Sequence, residues 1–212
     1  MKTLKIFATN TILTVVTALF SLSQAHASVV DFEDQSAGLY FSGSSITSGG
    51  YSVTHSGGFA SIQGDVGQGA TEFSGNGTHR LVAFNQSTIS FSNVLGSAFD
   101  LFSFEGGESW ITQPHFWATQ IKVVGTYLNG GTTTAIFDLD LVKNPHTGLQ
   151  LFNLDSSFQG LISVAFNGIG VNPEFTLDNI NVSSTSVPEP HAVLLMLVGL
   201  FALGFKARTQ KA

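Results

Sequence analysis

The chain has 212 residues, no cysteine and a formal net charge of −6, and only 10% of its residues are charged. This acidic balance excludes a protein that binds the phosphate backbone of nucleic acids, because such binding requires clustered lysine and arginine. The absence of cysteine excludes disulfide scaffolds, thiol catalysis and cysteine-based zinc sites. The length allows one ordinary globular domain with processing segments at its ends.

The first 27 residues have the pattern of a secretory signal peptide. Two lysines precede the apolar run of residues 6–22, and the segment ends in Ala25-His26-Ala27. A basic start, an apolar run and small residues on either side of one position are the features that signal peptidase recognises. We therefore predict a signal peptide over 1–27 and a mature chain that begins at Ser28. The alternative is an uncleaved membrane anchor.

Residues 28–182 have the pattern of one all-β domain. Lys122–Leu128 and Thr132–Leu141 flank Asn129-Gly130-Gly131, which predicts a hairpin because these turn residues tolerate positive φ. Further short segments favour strands: Val29–Phe32, Tyr51–Thr54, Phe59–Ile62, Arg80–Phe84, Ser87–Ser92, Leu101–Phe104, Leu149–Leu154, Leu161–Phe166 and Phe175–Val182. We predict a two-sheet antiparallel β-sandwich of the jelly-roll type. The Gly- and Ser-rich region 36–77 is expected to be long surface loop around short strands.

The C-terminal segment has three parts. A spacer over 183–187 leads to Pro188-Glu189-Pro190, an apolar run over 192–205 and a tail with Lys206 and Arg208. As a helix, the apolar run would cover about 21 Å against a hydrocarbon thickness of about 30 Å, which makes it a marginal transmembrane helix. The basic tail favours a cytoplasmic C-terminus with the main domain outside. An ordinary single-pass tail anchor is the alternative.

This three-part segment, residues 188–212, resembles the PEP-CTERM sorting signal of Gram-negative bacteria that produce exopolysaccharide. The resemblance implies recognition and cleavage near Pro188, Glu189 and Pro190 by an exosortase. It also implies a precursor held transiently in the inner membrane and then delivered to the cell surface or the extracellular matrix.

The central domain is similar to the jelly-roll, galactose-binding-like ectodomains found upstream of such signals. The stretches that carry the similarity are Val30–Asp34, Phe99–Phe104, Lys122–Gly125 and Phe175–Ile180. The resemblance implies a domain that contacts carbohydrate, and fold alone does not settle function.

Acidic and amide side chains occur near both ends of the domain. Asp31, Glu33 and Asp34 are assigned to the first predicted strand, and Asp178 and Asn179 lie on the last one. In a jelly roll the terminal strands lie side by side, which would gather oxygen ligands of the kind that Ca²⁺ prefers. Resemblance to calcium-binding carbohydrate modules favours a structural calcium ion here. The alternative is that these side chains are solvated strand ends or turn caps.

Trp110 is the predicted contact for a glycan. Sugar faces stack on flat aromatic rings, and both tryptophans of the chain lie close together in sequence. Counting along the following strand places Trp117 on the same face as Ile121 and Val123, which predicts that Trp117 is in the core. Trp110 is then the better candidate for an exposed platform on an exopolysaccharide-binding module.

A jelly-roll hydrolase acting on glycans is the alternative function. Glycoside hydrolysis requires two carboxyl groups at a fixed separation, and the candidate pairs are Glu105 with Glu108 and Asp138 with Asp140. The sequence contains no Gly-x-Ser-x-Gly elbow and no His-Glu-x-x-His motif. We therefore expect no catalytic residues, and we predict an exported, exosortase-processed, non-catalytic protein that is structural or contacts carbohydrate.

Overall fold

The computed structural model describes residues 26–64 and 71–184. Most of the predicted signal peptide, including Ala25, lies outside the described residues. The whole predicted sorting segment, with Pro188, Glu189, Pro190, Lys206 and Arg208, lies outside them as well. Within the described ranges, no helix has the length and apolar character needed to cross a membrane.

The described part of the chain is all-β, with two single-turn 3₁₀ helices, Pro114–Phe116 and Ser156–Phe158. The strands are β1 (His26–Val30), β2 (Gly38–Phe41), β3 (Ser45–Ser48), β4 (Tyr51–Ser56), β5 (Phe59–Gln63), β6 (Arg80–Phe84), β7 (Thr88–Asn93), β8 (Phe99–Glu108), β9 (Gln120–Tyr127), β10 (Thr132–Asp138), β11 (Gln150–Asn153), β12 (Leu161–Ile169) and β13 (Phe175–Ser184).

The strand pairings separate into two antiparallel sheets. The first sheet has the order β2-β5-β6-β13-β8-β11, and β1 also pairs with β13. The second sheet has the order β3-β4-β7-β12-β9-β10. One residue pair, Leu161 with Phe99, joins β12 to β8. The predicted two-sheet, jelly-roll-like sandwich is confirmed.

Phenylalanine and aliphatic side chains fill the space between the sheets. Alternation of apolar and polar residues along β4 and β9 places every second side chain inward, as a half-buried strand requires. The ring of Phe104, on the first sheet, lies 5.0 Å from that of Phe166 and 5.5 Å from that of Phe137, both on the second sheet. Aromatic contacts therefore connect the two layers without any disulfide.

Several strand boundaries differ from the sequence prediction. The region 36–77 contains β2 and β3 as well as the predicted segments around β4 and β5. β1 ends at Val30 and β10 at Asp138, both earlier than predicted, since Phe32 and Leu141 have positive φ values of 58° and 62°. β1 begins at His26 and β13 continues to Ser184, so both terminal strands extend past the predicted limits of 28 and 182.

Candidate functional site

A cleft of about 460 Å³ opens on the outer face of the first sheet, the face turned away from the core. Its volume lies within the range of about 300–1,000 Å³ that is usual for ligand sites. Another cavity, beside His55, holds about 10 Å³, enough for a single water molecule. The described residues that line the cleft are Ala37, Gly38, Leu39, Phe59, Ile62, Gln63, Glu72, Phe73, Phe84 and Trp110.

Aromatic rings in register form the floor of the cleft. Phe59 on β5 pairs with Phe84 on β6, and both residues line the cleft; Phe41 on β2 pairs with Phe59 from outside the lining. The rings of Phe59 and Phe84 are stacked, with centroids 4.6 Å apart and an interplanar angle of 15°. Phe73 and Trp110 extend this group, which is a hydrophobic cluster separate from the core.

Tight local geometry positions these rings. The turn between β4 and β5 contains Gly57 and Gly58, both with positive φ, and a Cβ atom at Gly58 would lie 2.1 Å from the carbonyl oxygen of Phe84. Only glycine permits this close approach of the backbones. The turn therefore brings Phe59 back beside Phe84.

The opposite wall of the cleft is held by backbone hydrogen bonds. The amide of Ser74 donates to the carbonyl of Ser109, and the amide of Ile111 donates to that of Glu72, at 2.8 Å each. Phe73 and Trp110 form an antiparallel bridge between the same two segments. These bonds fix Glu72 and Phe73 beside the indole.

Trp110 is half-buried in the wall of the cleft. One side of its indole packs on Phe73, with centroids 4.4 Å apart, and its Nε1 donates to Oε2 of Glu174 at 2.8 Å. Burial raises the pKa of the Glu174 carboxyl, although hydrogen bonds from the Asn85 amide and the Trp110 indole act in the opposite direction. The carboxyl group thus anchors the indole from below the surface.

Trp117 differs from its predicted place. It is half-buried rather than enclosed in the core, because it caps a 3₁₀ turn before β9 begins. Its Nε1 donates to the carbonyl of Trp110, and Nζ of Lys143 lies 4.3 Å from its ring centroid. Parity along β9 therefore does not extend back to this residue.

The structure brings β1 and β13 together, as predicted, but the proposed calcium ligands have separate partners. Asp34 accepts from the hydroxyl of Ser48 and the amide of Gly49, and Asp31 accepts from the amide of Glu33. Glu33 in turn accepts from the amide of His79. These three side chains cap turns in the structure.

The other two proposed ligands lie in a different hydrogen-bonded group. Asp178 Oδ2 accepts from Asn76 at 2.9 Å and from Thr78 at 2.9 Å, and Asn179 Nδ2 donates to Glu105 at 3.0 Å. Within residues 26–64 and 71–184, no group of three or more Asp, Glu, His or Cys side chains is arranged to hold a metal ion. Calcium binding stays a prediction, which thermal unfolding with Ca²⁺ and with a chelator tests.

Asp178 is the most strongly perturbed titratable group described. Its side chain is completely buried, and burial raises the pKa of its carboxyl to about 7. Hydrogen bonds from Asn179, Asn76 and Thr78 oppose this shift, while the charge of Glu105 adds to it. One amide nitrogen, Nδ2 of Asn76, donates to both carboxyl groups. Asn76 therefore holds two acidic side chains close together under the 75–79 turn.

The two members of each candidate catalytic pair lie in different environments. Glu105 accepts from amide side chains, whereas Glu108 is completely buried and accepts from the backbone amide of Leu141 at 2.6 Å. Asp138 is the last residue of β10, and Asp140 follows the strand and accepts from the amide of Val142. None of these four residues lines the cleft.

Sequence reasoning missed most of the cleft. The sequence analysis did not single out Phe59, Phe73 or Phe84 as site residues, nor Glu72 or Glu174. Strand geometry could have indicated the cleft. Adjacent residues on a strand point to opposite faces of the sheet, so Phe59 and Phe84 point away from the core that contains their neighbours Ala60 and Ala83.

Neither a protein-family model nor a curated protein sequence matches this chain. Among solved structures, it is similar to a family 29 carbohydrate-binding module from Piromyces equi, with 14% identity, a TM-score of 0.40, and coverage of 79% of this chain and 95% of that one. It is also similar to an F5/8 type C domain from Bacteroides fragilis, with 10% identity, a TM-score of 0.43, and coverage of 68% and 97%.

An exo-β-agarase shows a similar likeness, with 10% identity, a TM-score of 0.42, and coverage of 78% of this chain but 26% of the agarase. At these values the likeness concerns the arrangement of strands and says nothing of a ligand or an activity.

Proposed function

We propose that this chain is an exported, non-catalytic protein of the cell surface or extracellular matrix that contacts polysaccharide through the cleft at Trp110. The cleft with its half-buried indole carries this proposal. An aromatic surface with a few polar groups at its rim is what the face of a sugar ring requires. The described cleft offers Gln63 and Glu72 as those polar groups.

The position of the rings supports this function over a purely structural one. Leu39, which lines the cleft, is 58% exposed, and Phe41, whose ring centroid lies 6.4 Å from that of Phe59, is 64% exposed. Apolar side chains grouped on an exposed surface mark interaction sites more often than chance. A stacked cluster that is already formed loses little conformational freedom when a ligand binds. The site is therefore suited to a flat, partly apolar ligand.

We expect Trp110→Ala to weaken binding to the exopolysaccharide of the native host about tenfold, equivalent to about 1.4 kcal/mol. The substitution removes the indole that lines the cleft and also removes the donor to Oε2 of Glu174. Affinity electrophoresis of the folded variant in gels that contain the polysaccharide measures the effect.

Phe102→Ala is the matched control, because Phe102 is 38% exposed on β8 and does not line the cleft. It should bind as the unsubstituted protein does. Equal retention of the protein and of Trp110→Ala, both with intact circular dichroism spectra, would remove the cleft from the proposed function. Release of reducing ends from a panel of glycans would contradict the non-catalytic part.

We further propose that both ends of the chain are processed. The sequence pattern supports cleavage by signal peptidase after Ala27 and by an exosortase near Pro188-Glu189-Pro190. Mass spectrometry of the protein isolated from its native host should find a mature N-terminus at Ser28 and no residues of the 192–205 run. A cytosolic protein that retains these residues would refute the sorting proposal.

A further inference from the structure

The charge of the cleft narrows the class of glycan that it suits. Of the described residues that line it, Glu72 is the sole charged one. Its side chain is exposed, and its carboxylate makes no hydrogen bond or ion pair with another described residue. The neighbouring residues 65–70, which lie outside the described ranges, contain one acid and no base in the sequence. Among the described residues, the carboxylate of Glu72 therefore has no partner.

The bases of the domain are placed elsewhere. Arg80 is completely buried and donates to the carbonyls of Thr78 and Phe73. Lys143 lies over the ring of Trp117, and Lys122 lies on β9 of the second sheet. His79 lies beside Glu33, with 3.9 Å between its Nδ1 and the carboxylate. None of these side chains lines the described cleft.

The whole domain adds to this negative field. Residues 28–186 contain 13 acids and three bases, a net charge of −10. A glycan with uronate, sulfate or phosphate groups would be repelled, and no cation among the described lining residues would offset its charge. A neutral glycan would gain only the aromatic contact. A protonated amine would gain an ion pair with Glu72 and a cation–π contact with Trp110 or Phe59.

We propose that the cleft prefers polysaccharides that carry free amino groups, and that Glu72 determines this preference. The inference rests on the proposed function, since it uses the same cleft. The backbone bond from Ile111 to Glu72 and the bridge between Phe73 and Trp110 hold the backbone of Glu72 next to the segment that carries the indole, and both residues line the same cleft.

The test compares two ligands that have the same sugar backbone and differ at the 2-amino group, which is a free ammonium in one and a neutral acetamide in the other. Isothermal titration calorimetry measures binding of the full chain to a hexamer of β-1,4-linked glucosamine and to the corresponding N-acetylglucosamine hexamer. The measurements are made at mildly acidic pH, where the amines of glucosamine are protonated. We expect the glucosamine hexamer to bind about threefold to fivefold more tightly, since an exposed ion pair contributes little more than this. Added salt should reduce the difference.

Glu72→Gln should abolish the preference while leaving the affinity for the acetylated hexamer unchanged. Asp140→Asn is the control, because it removes the same charge from an exposed position away from the cleft. Equal binding of both hexamers, or a preference that survives Glu72→Gln, would overturn the inference. If Trp110→Ala weakens both hexamers equally and no preference exists, the proposed function stands and this inference fails.

Discussion

Replacing Phe104 with alanine is expected to lower the free energy of unfolding by about 3–5 kcal/mol. The side chain is completely buried, and its ring contacts Phe137, Phe152 and Phe166 at centroid distances of 5.0–5.5 Å. Two of these partners belong to the opposite sheet, so the cavity would lie between layers that neighbouring side chains cannot close. Urea denaturation with unchanged m-value measures the loss.

Phe102 supplies the control on the same strand. It is 38% exposed, and Phe102→Ala should lower the free energy of unfolding by less than about 1.5 kcal/mol because it leaves no enclosed cavity. Similar losses for the two variants would mean that the core between the sheets is not packed as described.

The stability of the domain is expected to fall as pH rises from about 4 to about 7, and Asp178 is the main cause. Its carboxyl has a pKa of about 7 in the folded protein against 3.8 for an exposed aspartate. Within this window the folded state binds more protons than the unfolded state, so the free energy of unfolding decreases with pH. The full effect is on the order of 4 kcal/mol, present below pH 3.8 and lost as pH passes through about 7.

Glu108 and Glu174, whose pKa values burial also raises, act in the same direction, whereas hydrogen bonds lower the pKa of Asp155 and act in the opposite one. Asp178→Asn should flatten the pH dependence whatever its effect on absolute stability. Urea denaturation at several pH values gives the slopes. Asp138→Asn removes one exposed charge and serves as the control. A slope unchanged by Asp178→Asn would show that Asp178 is ionised in the folded protein at all these pH values.

Local patterns were sufficient for much of the fold. The predicted strand Arg80–Phe84 has the limits of β6, period-2 alternation located β7 to within one residue, and the Asn129-Gly130-Gly131 turn marked the β9–β10 hairpin. Boundaries were missed where the backbone takes a left-handed conformation at a residue that rarely does so, as at Phe32 and Leu141. β2 and β3 were missed because Gly and Ser weaken the local strand signal.

The candidate site depended on pairings between distant residues. Phe59 and Phe84 are 25 positions apart and meet only because the β5–β6 register aligns them. Sequence spacing could not show that Glu105 and Glu108 have different environments. Glu105 accepts hydrogen bonds from Asn76 and Asn179, whereas Glu108 is buried. Likewise, the pKa of Asp178 follows from its burial under the 75–79 turn, a neighbour 100 residues away in the chain.

Composition and short-range periodicity thus determined that the domain is an uncrosslinked, acidic β-sandwich, because strand alternation and turn chemistry act over a few residues. Only the tertiary structure decided which phenylalanines line a cleft outside the core and which acidic side chains are buried. The physical reason is that exposure and register arise from strands that meet across long stretches of sequence, and a single-residue change in register would turn each of those side chains to the other face.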